Sequence, residues 1–188
     1  MTARIDTAAC ESHHAAPRGA RATDRTMPLA TVRTLAAGAH VGDLVFIRER
    51  AGAPDAATGA AGAWANRFGI VVDTSGDEPA IAESTAFGWT TLTPLSRFVA
   101  RTGGGRIALA RRVAAASADA QRHVHALAER RIDALLGSRF NLRARRGFCA
   151  QYVAEVLGAG HAATPSALLR SGTLALEFDG IVFDPRQP

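Results

Sequence analysis

The order of its apolar runs constrains this chain most. Residues 42–48 (GDLVFIR) read as a turn followed by a buried strand. Residues 67–73 (RFGIVVD) form a second strand and residues 80–85 (AIAEST) a third, with the turn TSGDEP between them, so 67–85 is an antiparallel hairpin. Residues 89–95 make a fourth strand, 94–99 a short helical turn and 106–111 a returning strand. Only then do helical patterns begin. Ser117 caps a long helix to Leu136, with Val124, Ala128, Ile132 and Leu135 as its apolar stripe and Gly137 as its stop. The order is therefore strands first and helices after them. The end, residues 174–183, alternates poorly and reads as two short strands around Asp179 and Gly180.

Residues 145–157 (RRGFCAQYVAEVL) form a second, shorter helix with a cysteine in its first turn. Phe148, Tyr152 and Val156 recur at helical spacing, as do Cys149, Val153 and Val156. Gly147 starts this helix, and Gly158 or Gly160 ends it. Cys149 therefore lies near the positive end of a helix dipole, behind Arg143, Arg145 and Arg146. Both effects favour thiolate over thiol. The competing reading is a small residue buried in the core. A further short helix begins at Thr164 and Pro165.

Composition narrows the function classes. At 188 residues and 47% hydrophobic, the chain builds one domain with a real core. We expect residues 1–30 to be a disordered tail and 31–188 a single domain. All 22 basic residues are arginine, and the net charge is +5. The arginines are scattered and no nucleic-acid motif accompanies them, so a solvated basic surface outweighs specific nucleic-acid binding. Cys10 falls in the tail, so no structural disulfide with Cys149 is expected. No apolar run approaches the roughly 20 residues of a membrane span. The start lacks the apolar core of a secretory signal, so a cytoplasmic location is expected. His13 and His14, and His123 and His125, lack further ligands at chelating spacing, so no metal or other cofactor is expected.

Several stretches carry a resemblance in their order: GDLVF at 42–46, RFGIVV at 67–72, AEST at 82–85, TPLSRFV at 93–99, SRF at 138–140, GFCAQYV at 147–153 and TPSALL at 164–169. The series, over roughly residues 38–183, resembles the circularly permuted papain-like amidases, the YiiX-like branch of the NlpC superfamily. The resemblance implies an α+β fold, a small antiparallel sheet or half-barrel packed against helices, and a cysteine nucleophile at a helix N-terminus, matched by Cys149. It implies a histidine base on the second strand and a polar residue on the next strand to orient it, matched by Glu83. The chemistry implied is that of a cysteine–histidine hydrolase of amide or ester bonds, acting on peptide-like or acylated small substrates.

The sequence departs from that pattern at the base. Arg67 stands where the family has histidine, and arginine cannot act as a general base at neutral pH. Ala150 and Gln151 also replace the serine and glutamate that usually follow the cysteine. If the hairpin turn centres on Gly76, Val71 faces Ile81, and Arg67 and Glu83 become diagonal neighbours on one face. We expect them to form an ion pair beside Cys149 that holds an anionic group or lowers the thiol pKa. His40, just before the first strand, is the candidate replacement base, with His161 a lesser one. Asp43, Trp64 and Trp89 are candidates to line a substrate groove, against ordinary roles as a turn residue and rim aromatics. Three readings follow: an active cysteine hydrolase, a catalytically degenerate family member that binds a ligand, and a basic protein that contacts anionic surfaces.

Overall fold

The computed structural model describes residues 29–49, 64–85, 87–102, 105–137, 145–160 and 164–181. Its strands are β1 (Leu44–Ile47), β2 (Arg67–Asp73), β3 (Ala80–Ser84), β4 (Thr90–Pro94), β5 (Arg106–Arg112) and β6 (Leu174–Ile181). Its helices are α1 (Leu29–Gly38), α2 (Leu95–Ala100), α3 (Ala118–Leu136), α4 (Phe148–Glu155) and α5 (Pro165–Arg170). The six strands form one antiparallel sheet in the order β4-β3-β2-β1-β5-β6. This is the α+β architecture the resemblance implies.

The central strands read as nearly continuous apolar runs because both faces of the sheet are covered. Successive side chains point to opposite faces. Leu44, Phe46, Ile70, Ala82, Ala108 and Ala110 point to one face and pack with Ile132 and Leu135 of α3, with Cys149, Tyr152 and Val153 of α4, and with Leu168 of α5. Val45, Ile47, Val71, Ile81, Ile107 and Leu109 point to the other and pack with Leu35 of α1 and with Leu95, Phe98 and Val99 of α2. Helices thus lie on both sides of the sheet, and burying each large apolar side chain contributes about 1.5–3 kcal/mol.

Local sequence explains most boundaries. Ser117 is extended and its side chain accepts from the Ala120 amide, which caps α3. Thr164 does the same for α5 through the Ala167 amide, with Pro165 in the first turn. Gly147 takes a left-handed conformation (φ 72°) where the chain turns into α4.

Helix α1 begins at Leu29, and residues 1–28, including Cys10, His13 and His14, lie outside the described residues. One expectation is corrected: residues 174–181 are one strand, not two. Leu109 pairs with Phe178 and Ala110 with Leu176, which leaves Glu177 as the extra residue of a β-bulge. The bulge shifts the alternation by one, so the segment shows no clean period of two.

Candidate active site

The β2–β3 register is the one the turn predicts: Val71 pairs with Ile81 and Ile70 with Ala82. Arg67 and Glu83 do form an ion pair, with Arg67 Nη1 3.2 Å from Glu83 Oε2. Arg67 is held from its other edge by Glu49, at 3.0 Å from Nε. Glu83 is buried, and sequence reasoning missed its strongest partner. Arg101, just past the end of α2, donates to both carboxylate oxygens, Nη2 to Oε1 at 2.5 Å and Nη1 to Oε2. Thr93 Oγ1 adds a third donor at 2.6 Å. Burial opposes ionisation of Glu83, but the hydrogen bonds from Arg101 and Thr93 and the charges of Arg101 and Arg67 outweigh it. The carboxyl is held below its ordinary range.

This network does not adjoin the thiol as expected. Arg67 and Glu83 share the parity of Val71 and Ile81, so they face the α1/α2 side. Cys149 packs with Ile70 and Ala82 on the opposite side of the sheet. It lies in the first turn of α4, 2% exposed, and its Sγ donates to the Ala82 carbonyl oxygen at 3.7 Å. Burial drives the thiol pKa up. The side chains of Ser84 and Thr90 pull it down, the charge of Glu83 across the sheet pushes it up again, and the net shift is upward. The surroundings of Cys149 thus work against the expected thiolate: desolvation outweighs the end of an eight-residue helix.

Ser84 and Thr90 are the neighbours the sequence did not single out. They form the last pair of the β3–β4 ladder, which puts both on the thiol's face. The register alone would have found them. Thr90 Oγ1 is buried and makes no full hydrogen bond among the described residues; Arg145 Nε is in the same position. The start of α4 is pinned to the β3–β4 turn by the Gly147 amide donating to the Gly88 carbonyl at 2.9 Å, and by a bridge between Trp89 and Arg146.

The other candidates take separate places. Asp43 is buried with both carboxylate oxygens engaged: Arg111 Nε donates to Oδ1 at 2.9 Å, and Arg111 Nη2 and the His40 amide donate to Oδ2, each at 2.8 Å. It thereby clamps β1 to β5 and to the end of α1. His40 is exposed. No described histidine hydrogen-bonds Cys149, and His161 lies outside the described residues. Trp64 is half-buried against the thiol-side core, with the Arg106 guanidinium 4.5 Å from its ring centroid. Trp89 is exposed at the β3–β4 turn. Among the described residues no group of three His, Cys, Asp or Glu side chains is placed to hold a metal ion, and no helix is long and apolar enough to cross a membrane.

An antiparallel sheet against which a cysteine-bearing helix packs by its first turn is the framework of a papain-like cysteine hydrolase. The chain belongs to the family described as permuted papain-like amidase enzyme, YaeF/YiiX, C92 family, whose model matches residues 38–172. No curated protein and no solved structure matches the chain.

Proposed function

We propose that this chain keeps the family scaffold as a binding module for a peptide-like or acylated small molecule and has given up hydrolysis. The observation that carries this reading is Arg67. In sequence order it stands where the resemblance places the family histidine; it cannot accept a proton at neutral pH, and it is tied to Glu49 and Glu83 on the sheet face away from the thiol. Glu83, the match for the residue that would orient an imidazole, is instead saturated by Arg101, Thr93 and Arg67. Among the described residues no histidine hydrogen-bonds Cys149, whose sulfur donates to the Ala82 carbonyl, and burial pushes its thiol pKa up. The ligand would meet the end of the sheet where Ser84 and Thr90 flank the sulfur.

Alkylation by iodoacetamide across pH, followed by mass spectrometry of the Cys149 peptide, tests this. The expected rate is low at neutral pH and rises only above the ordinary cysteine pKa of about 8.5. Arg67→His is expected to leave both the alkylation profile and the release of p-nitrophenol from acyl esters unchanged. Turnover that Cys149→Ala abolishes would overturn the reading.

A hydrolase reading, with Cys149 as nucleophile, Glu83 retained and His40 as base, has one observation in its favour. The Ser84 and Thr90 side chains both act to lower the thiol pKa. Rapid alkylation near neutral pH that His40→Ala slows is the result that reading requires.

A further inference from the structure

The turn between β3 and β4 carries an exposed apolar group that the site above does not use. Phe87 is 85% exposed, Trp89 37% and Leu92, on the edge strand β4, 42%. Two exposed aromatics within three residues, at a turn, are costly to leave in water without a partner. Their setting is basic. Trp89 forms an antiparallel bridge with Arg146, and directly paired residues project to the same side. Arg146 is exposed, and the half-buried Arg145 precedes it. The chain as a whole carries +5.

We infer that this turn is a docking element for an anionic lipid surface, with Phe87 entering the acyl boundary, Trp89 at the headgroup level and Arg146 on the lipid phosphates. Charge complementarity selects this occupant. Guanidinium groups beside an apolar tip match a negatively charged interface, where Trp prefers the boundary and each nearby Arg strengthens binding several-fold. A single-stranded nucleic acid is less well matched. Stacking needs ring faces along a groove, whereas Phe87 stands out from a turn. The inference goes beyond the proposed function and does not depend on whether Cys149 reacts. It would bring the Ser84–Thr90–Cys149 end of the sheet to the membrane surface, because the same turn is hydrogen-bonded to the start of α4.

The test is co-sedimentation of the full chain with vesicles of phosphatidylcholine alone and of phosphatidylcholine with phosphatidylglycerol. Binding is expected only with phosphatidylglycerol, weakening as salt is raised. Phe87→Ser and Arg146→Glu are each expected to lower the vesicle affinity tenfold or more. Both side chains are exposed, and circular dichroism should confirm that each variant keeps its fold. In a Trp64→Phe background the emission of Trp89 is expected to shift to shorter wavelength on vesicle addition. No sedimentation with phosphatidylglycerol at low salt overturns the proposal. Sensitivity to Arg146→Glu without sensitivity to Phe87→Ser means surface adsorption without insertion and also overturns it. So does a single-stranded oligonucleotide bound as tightly as the vesicles with the same dependence on Phe87.

Discussion

Replacing Arg101 by alanine tests whether the buried carboxylate at position 83 is held by structure rather than poised for chemistry. Glu83 is 3% exposed and takes two hydrogen bonds from Arg101, one from Thr93 and one from Arg67. Removing one partner of a buried ion pair costs about 3–5 kcal/mol when nothing else compensates. Here Thr93 and Arg67 remain, and the Arg101 side chain is itself 26% exposed, so water replaces part of what is lost. The expected cost is about 2–3 kcal/mol. Arg67→Ala is expected to cost no more than about 1 kcal/mol, because that side chain is 31% exposed and makes a single contact with Glu83, at 3.2 Å.

Urea denaturation of wild type and both variants at pH 7 measures the difference. The pH dependence fixes its cause. The folded pKa of Glu83 lies below its unfolded value, so the carboxylate stabilises the fold above about pH 4.3, and that stabilisation is lost as pH falls through the folded pKa. The gap between wild type and Arg101→Ala should therefore narrow in acid. A double-mutant cycle with Glu83→Gln should return a coupling of about 1–3 kcal/mol. A cost below about 0.5 kcal/mol, within the range of ordinary surface substitutions, refutes the reasoning. So does a gap that stays constant as Glu83 is protonated.

Asp43→Ala is expected to destabilise the chain by about 2–3 kcal/mol in urea melts, because it leaves Arg111 only the Gly38 carbonyl and Glu177 and removes the acceptor of the His40 amide. Tyr152 is the chain's one tyrosine, and burial, with the charge of Asp43 behind it, pushes its hydroxyl up to about 12. Tyrosinate absorbance after a rapid pH jump should appear near that value in the folded chain and near 10 in urea. Stability should fall between the two, since the unfolded state gives up its proton first, by about 2.7 kcal/mol over the full interval. Gly69→Ala would set a methyl 2.3 Å from Ile81 Cγ2 and 3.2 Å from the Phe98 ring. It is expected to cost about 1–3 kcal/mol by overpacking, measured in the same way.

The sheet was legible because each strand run is bounded by turn residues, and because TSGDEP fixes the β2–β3 register. Helix α1 was not legible. Its sequence, LATVRTLAAG, mixes β-branched residues into a short run, and it is held through Leu35 against β-strands far away in sequence. The bulge at Glu177 hid β6 for a different reason: one extra residue moves the apolar positions out of phase. The environment of Cys149 was misread because charge is visible in sequence and burial is not. Three nearby arginine letters outweighed a desolvation that only the packing of α4 on Ala82 reveals.

A cysteine–histidine hydrolase needs sulfur, imidazole and the orienting group on one side of the sheet. In this chain the charged pair and the thiol are divided by strand parity. Arg67 stands opposite Ile47 and Glu83 opposite Thr91, both facing α2, while Phe68 stands opposite Phe46 and Ser84 opposite Thr90, both facing the sulfur. The side chain of β2 that turns toward the thiol's face near its start is therefore Phe68, an apolar ring 6.0 Å from Phe46. An imidazole at position 67 would enter the arginine–carboxylate network and leave the thiol as it is. Building a proton relay to the sulfur from β2 would need either a histidine on the Phe68 face or a one-residue slip of the strand, and a slip would turn Ile70 out of the core it now fills. The packing of the sheet thus turns position 67 away from the thiol whichever residue stands there.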